Sequence, residues 1–158
     1  MPVTSAGLLL YRFTDRGLEV FVAHLGGPFW ANKDAGAWSI PKGEHLPTED
    51  PLVAAKREFL EEIGTPAPDV DYVKLGDFRI SSGKVNTVFV GDTDFVVPTI
   101  VSNTFELEWP PRSGIIREFP EVDDAGWFGL EAGRVKVSKG QVQVLDALGR
   151  YVAGLTAG

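Results

Sequence analysis

The chain has 158 residues, 44% of them hydrophobic and 23% charged, with a net charge of −7 and no cysteine. This length suffices for one domain with a sizeable core, and the composition is ordinary for a soluble globular protein. The acidic balance excludes nucleic-acid binding by bulk charge, and the missing cysteines exclude disulfides and thiolate metal sites.

The opening "SAGLLLYRF" and "LEVFVAHL" are rich in strand formers and are joined by "TDRG", which predicts a β-hairpin over Ser5–Leu25. No basic region precedes the apolar "VTSAGLLLY" and charged residues follow it, so it is a poor signal peptide. No apolar run reaches the eighteen or so residues of a membrane span. The expected setting is cytoplasmic, with neither a membrane nor nucleic acid as partner. Next, "GGPFWANKDAGA" reads as a glycine-rich loop and "WSIP" as a short strand closed by Pro41.

The best-marked element is a helix. Asp50 suits the N-cap, Pro51 the first helical position and Gly64 the residue past its end. At 100° per residue Leu52, Phe59 and Ile63 share one side, with Ala55 at its margin, and Glu58, Glu61 and Glu62 fall roughly opposite. Strands are expected at "YVKLGDFRI" and "KVNTVFVGDTDF", then a long loop containing "SNTFELEWPPRSG", then a short strand at "AGWFGL". Ser138 is placed to cap a last helix, Lys139 to Ala153, with Val142, Leu145, Leu148 and Val152 at helical spacing. The order predicts an α+β or sandwiched α/β architecture, not a doubly wound parallel sheet. Without repeats or an internal linker, residues 1–158 read as a single domain; monomer and homodimer both stay open.

The three glutamates carry the chemistry. Like charges three and four residues apart repel, and carboxylates in a last helical turn oppose the macrodipole. A hard divalent cation relieves both costs, because Mg²⁺ binds carboxylates together with waters and substrate phosphates. A merely solvated acidic face is the competing reading of "EFLEE". The flanks weigh against it: Lys42 and Gly43 stand in a tight loop where bare backbone can approach metal or phosphate, and Arg57 can neutralise or orient a neighbouring carboxylate. Two histidines and no cysteine argue against zinc.

Gly43, five residues, Glu49, seven residues and then "REFLEEIGT" (Arg57 to Thr65) resembles the Nudix box. Every charged and glycine position is matched; Thr65 departs, standing where the family prefers an aliphatic residue. The resemblance implies a Nudix-type α/β/α sandwich with a mixed sheet. It also implies Mg²⁺- or Mn²⁺-dependent hydrolysis of a nucleoside diphosphate derivative, by water attacking phosphorus. Carried onto this chain, Glu58 and Glu62 are the leading metal ligands, with Glu61 behind them and the Gly43 carbonyl as a further one. Glu49 and Arg57 form a supporting pair. The general base is expected at Glu121, whose place six residues before Trp127 resembles a late-loop glutamate of the dinucleoside-polyphosphate branch. Glu118 is the second choice and Glu58 the in-box alternative.

Candidate phosphate contacts are Lys33, Lys42, Arg79, Lys84 and Arg112, Lys42 foremost because its loop fixes its place. Trp30 and Trp109 stand in expected loops and are candidates to stack on a base, while Trp38 is expected half-buried beside the box. His24 reads as structural and His45 as a solvent-exposed loop residue. "WSIPKGE" is similar to the Trp-x-x-Pro-Lys-Gly segment of Nudix enzymes acting on dinucleoside polyphosphates or inositol pyrophosphates, which puts Ap4A-like substrates first, (deoxy)nucleoside triphosphates second and sugar nucleotides third. Two alternatives remain: a non-catalytic Nudix domain that binds or senses a nucleotide, and a plain scaffold with an accidental acidic helix.

Overall fold

The computed structural model describes residues 3–81, 83–97 and 99–157. β1 (Val3–Thr14) and β2 (Gly17–Leu25) form the expected hairpin, but they pair only near the turn, from Tyr11↔Val20 to Thr14↔Gly17. Beyond that they diverge, and the chain fills the gap itself. β3 (Trp38–Ser39) pairs with β2, and β4 (Lys42–Glu44) pairs with Ser5–Gly7 of β1. This wedge sets Gly43 directly opposite Ala6.

β5 (Val73–Ser81) and β6 (Lys84–Asp92) make a second antiparallel hairpin, and β6 lies parallel to β1 from Val3 to Tyr11. β9 (Val122–Gly129) covers the other edge of β2, giving a seven-stranded mixed sheet. Side-chain alternation along β1 splits the core in two. Ala6, Leu8 and Leu10 face Ala54, Ala55, Phe59 and Ile63 of α1 (Pro51–Ile63). Leu9 and Tyr11 face Val144, Leu145, Leu148 and Val152 of α3 (Val142–Ala157). The result is the expected α+β architecture, a sheet between two helical layers.

α1 is capped as the residues dictate. Asp50 accepts a bond from the Val53 N–H at 3.1 Å, and Gly64, at φ 87°, donates to the Leu60 carbonyl at 2.8 Å. Its exposed face corrects the expected layout. Val53, Lys56 and Leu60 point outward, and the glutamates lie on the flank, between β4 and the segment around Asn103. A helix wheel knows only one packing neighbour, whereas this helix has neighbours on two sides.

Three further readings are corrected. The stretch taken for a long loop contains a hairpin, β7 (Thr104–Glu108) with β8 (Ile116–Pro120), whose Phe105 and Phe119 sit opposite each other. The period-2 alternation of "TFELE" was its signal. A short helix, α2 (Leu130–Lys136), follows β9 unannounced, and Ser138 precedes a 3₁₀ turn at Lys139–Gln141 before α3 begins. Trp38 is buried, 7% exposed, in the α3-side core and not beside the box helix.

Candidate active site

The wedge strand β4 and the flank of α1 meet at Gly43. A Cβ added there would fall inside the Glu58 carboxylate, so only glycine permits this approach. The Arg57 guanidinium holds Glu49 in a two-pronged pair, Nε to Oε2 and Nη2 to Oε1, both 3.1 Å. Its remaining Nη1 reaches Glu58 at 2.8 Å and Glu61 at 3.4 Å. The box loop, through Glu49, is thereby tied to the helix carboxylates.

Glu121 arrives from a distant part of the chain. Its N–H donates to the Asn103 carbonyl at 2.9 Å, and the Asn103 N–H donates to the Glu61 carbonyl at 2.8 Å. The Glu121 carbonyl in turn accepts from Gly26 at 2.9 Å. Backbone bonds alone thus hang Glu121 beside the last turn of α1.

The electrostatics are those of crowded, half-buried carboxylates. Burial raises Glu58 above the usual carboxylate range, and Glu61 and Glu121 add to the rise against the Arg57 charge. Burial likewise pushes Glu62 up to about 8; Glu58 and Glu121 add to this, while the charge and backbone N–H of Lys42 oppose it. Glu121 is raised by burial and by the charge of Glu61. Such a cluster resists ionisation until a cation arrives.

The donor set fits Mg²⁺ or Mn²⁺. It offers only hard oxygens, Glu58 lies against a backbone that a Cβ would block, and the raised pKa of Glu62 is one that a bound cation would lower. Among the described residues no group of three or more His, Cys, Asp or Glu side chains is placed to hold a metal ion by itself. Mg²⁺ does not require such a group, since it keeps waters and shares substrate phosphates.

The other face of Gly43 opens on a small cleft of about 140 Å³, lined by Val3, Ser5, Lys42, Glu44, Ile80 and Lys84. Lys42 and Lys84 bring two positive charges to its lining and Glu44 one negative, so the balance is cationic. Beneath it Asn86 is fully buried; its Oδ1 accepts from the Ser5 hydroxyl at 3.2 Å and its Nδ2 has no protein partner. Nothing in the linear order of Ser5, Lys42 and Lys84 announces that they share a wall; the β4–β1–β6 pairing alone does that.

Glu58, Glu61, Glu62, Gly43, Arg57, Glu49, Lys42 and Glu121 therefore assemble. Glu118 does not join them: it lies on exposed β8 and accepts from the Thr104 hydroxyl across the hairpin at 2.7 Å. The Lys33 ammonium lies 3.8 Å over the Phe29 ring, and Trp30 packs edge-on against Phe29 at 5.1 Å and on the α3-side core. Trp109 and Arg112 occupy the far end of the β7–β8 hairpin, where the Arg112 N–H donates to Glu108. That end is about 17 Å beyond Thr104 at the usual rise per strand residue. Arg79 is exposed on β5. His45 is half-buried, not exposed, with Nδ1 on the Leu46 carbonyl.

The model of the NUDIX domain matches residues 1–148. The chain belongs to the Nudix family. By that membership it is a Nudix pyrophosphohydrolase, of a family that generally uses divalent metals. Its fold is shared by the NUDIX domain of Shewanella oneidensis NrtR complexed with ADP ribose, at TM-score 0.67 and 14% identity over 96% of this Nudix chain and 89% of that one. A C. elegans Ap4A hydrolase gives TM-score 0.62 and 18% identity over 96% and 98%. A mutT/nudix protein from Listeria innocua gives 0.63 and 16% over 99% and 98%. At such identities these likenesses concern the fold alone. No curated protein matches by sequence.

Proposed function

We propose that residues 1–158 form one Nudix domain that hydrolyses a pyrophosphate bond in a nucleoside diphosphate derivative, by water attack at phosphorus. One observation carries this reading: Gly43 has a carboxylate cluster on one face and a cationic cleft on the other. A substrate whose nucleoside enters the cleft must pass its phosphates over Gly43 toward Glu58 and Glu62.

Glu58 and Glu62, with Glu61 and the Gly43 carbonyl, would hold Mg²⁺ or Mn²⁺, which supplies neutralisation of phosphate oxygens and a water of lowered pKa. The chain's own groups do the rest. Lys42 and Lys84 bind phosphate oxygens at the cleft mouth. Arg57 and Glu49 keep Glu58 over Gly43. Glu121, raised in pKa and outside the box, accepts the proton of the attacking water.

Dinucleoside polyphosphates of the Ap4A kind are the first substrate to test, on the "WSIPKG" segment, ahead of (deoxy)nucleoside triphosphates and sugar nucleotides. A cytoplasmic setting belongs to the same reading. Among the described residues no helix is long and apolar enough to cross a membrane. The test is a hydrolysis screen over these three classes with Mg²⁺ and with Mn²⁺, identifying both products. Cleavage between phosphorus atoms is expected; tight binding of a nucleotide without turnover would mean a sensing domain instead.

A further inference from the structure

Outside this site, His24 stands among groups that leave it little choice of protonation state. It is 8% exposed at the end of β2. Its Nδ1 lies 2.7 Å from Asp123 Oδ1, and its Nε2 lies 2.7 Å from the Lys33 carbonyl oxygen. A carbonyl only accepts, and so does an ionised carboxylate. Both contacts are hydrogen bonds only if both ring nitrogens carry protons, which makes the ring an imidazolium.

The position of Asp123 gives the contact its consequence. β2 and β9 run in register to His24↔Asp124, and the next pair is Leu25↔Val122. Asp123 is therefore the extra residue of a β-bulge, a device that re-aims the chain beside it. Glu121 leaves β9 two residues earlier, and its carbonyl is held by Gly26, two residues after His24. The same ring anchors the loop after β2 through Lys33.

We propose that His24 is a positioning residue for Glu121: as an imidazolium it pins the Asp123 bulge and the Lys33 loop together, and alkaline pH releases both. This rests on the reading of Glu121 as proton acceptor.

The surroundings agree. From β9, Asp123 and Asp124 face the ring; from the loop come the Lys33 carbonyl and Asp34, the latter also bound by Lys136 of α2 at 2.9 Å and by the Trp38 indole at 2.8 Å. The Trp38 ring meets His24 edge-on at 5.1 Å, and the Lys33 ammonium is turned away onto Phe29. Burial alone would lower the ring's pKa, but the bonds to Lys33 and Asp123 and the charges of Asp123 and Asp124 outweigh it and raise it. An open depression of about 470 Å³ beside these groups lets solvent exchange the proton.

The chain has only two histidines, so ¹⁵N-labelled imidazole spectra separate them, with His45→Gln as the assignment control. At pH 7 both His24 nitrogens are expected to carry protons, with titration above the ordinary 6.5. For the substrate found in the screen, kcat should fall over the same pH range by roughly tenfold or more, a misplaced reacting group costing up to about a hundredfold. In Asp123→Asn the ring titration and this limb of the kcat profile should move down in pH together. A singly protonated ring at pH 7, or a limb that stays in place when the ring titration moves, overturns the proposal. If the wild type hydrolyses no nucleotide, the proposed function fails separately. Ring protonation, and a rise in Gly26 amide exchange beyond the base-catalysed trend when the ring deprotonates, still decide the clamp.

Discussion

Glu62 is the residue whose environment departs furthest from water. Its folded pKa of about 8 lies above the carboxylate's ordinary 4.5. A raised folded pKa contributes stability that is full below about pH 4.5 and lost as pH rises through about 8. In chelator, the melting temperature of the wild type should therefore fall between these pH values, by an amount worth up to a few kcal/mol. Glu62→Gln should lose the largest part of that fall, with the raised Glu58 and Glu121 keeping a smaller one, and should be more stable than wild type at pH 8 and nearly inactive with metal restored. Thermal melts across pH, with kcat at saturating Mg²⁺, check both halves. Gly43→Ala makes a complementary case. Its Cβ displaces the Glu58 carboxylate, the free end of a flexible side chain, so activity should vanish at little cost in stability, read by kcat and urea melts. Glu121→Gln should lose roughly 10²–10⁴-fold in kcat with metal affinity unchanged. If Glu58→Gln alone shows that split at saturating metal, the base lies in the box.

Among the elements, α1 is built for presentation and pays little attention to its own dipole: it has no basic residue in its last turn, where Glu61 and Glu62 stand. Its position depends on caps and on the buried Phe59. Phe59→Ala should destabilise the protein by about 3–5 kcal/mol and lower activity only through unfolding, so kcat per folded molecule should hold at low temperature. The β7–β8 hairpin behaves differently. A two-stranded hairpin is marginal alone, and this one meets the loop after β2, where Pro120 approaches Gly26 and Phe105 approaches Gly27. Trp109→Ala at its tip should leave kcat unchanged and raise KM at most modestly, since a group remote from phosphorus contributes uniform binding if it contributes at all. A large kcat loss in that variant would mean that the tip folds onto the carboxylates during turnover.

Across the whole molecule the site is a seam. α1, the β4 wedge, Asn103 and Glu121 come from separate stretches and are joined by the β1–β4 pairing and by backbone bonds between loops. A divalent ion binding that seam should stabilise the folded state by linkage, by about 2.7 kcal/mol at a concentration a hundred times its Kd. Mn²⁺ should act at lower concentration than Mg²⁺. The rise in melting temperature should be absent from Glu58→Gln/Glu62→Gln; an equal rise in that double variant would place the ion elsewhere.

The helix with its caps, the glycine and carboxylates of the box and the terminal helix were legible in the linear order, because local backbone preferences and short spacings decide them. So was the family, since the box is written in consecutive residues from Gly43 to Thr65. Which flank of α1 carries the glutamates was not. The preference for Glu121 over Glu118 came from its spacing to Trp127, but the physical setting of the two residues is decided by the tertiary structure. Those three residues of separation place one carboxylate beside Asn103 and the other across a hairpin from Thr104. Likewise Ser5, Lys42 and Lys84 share a cleft, and His24 meets Asp123, only through strand register and a bulge. Register is a long-range property: each pairing is chosen by which faces the two cores can bury together, and no window along the chain contains that information.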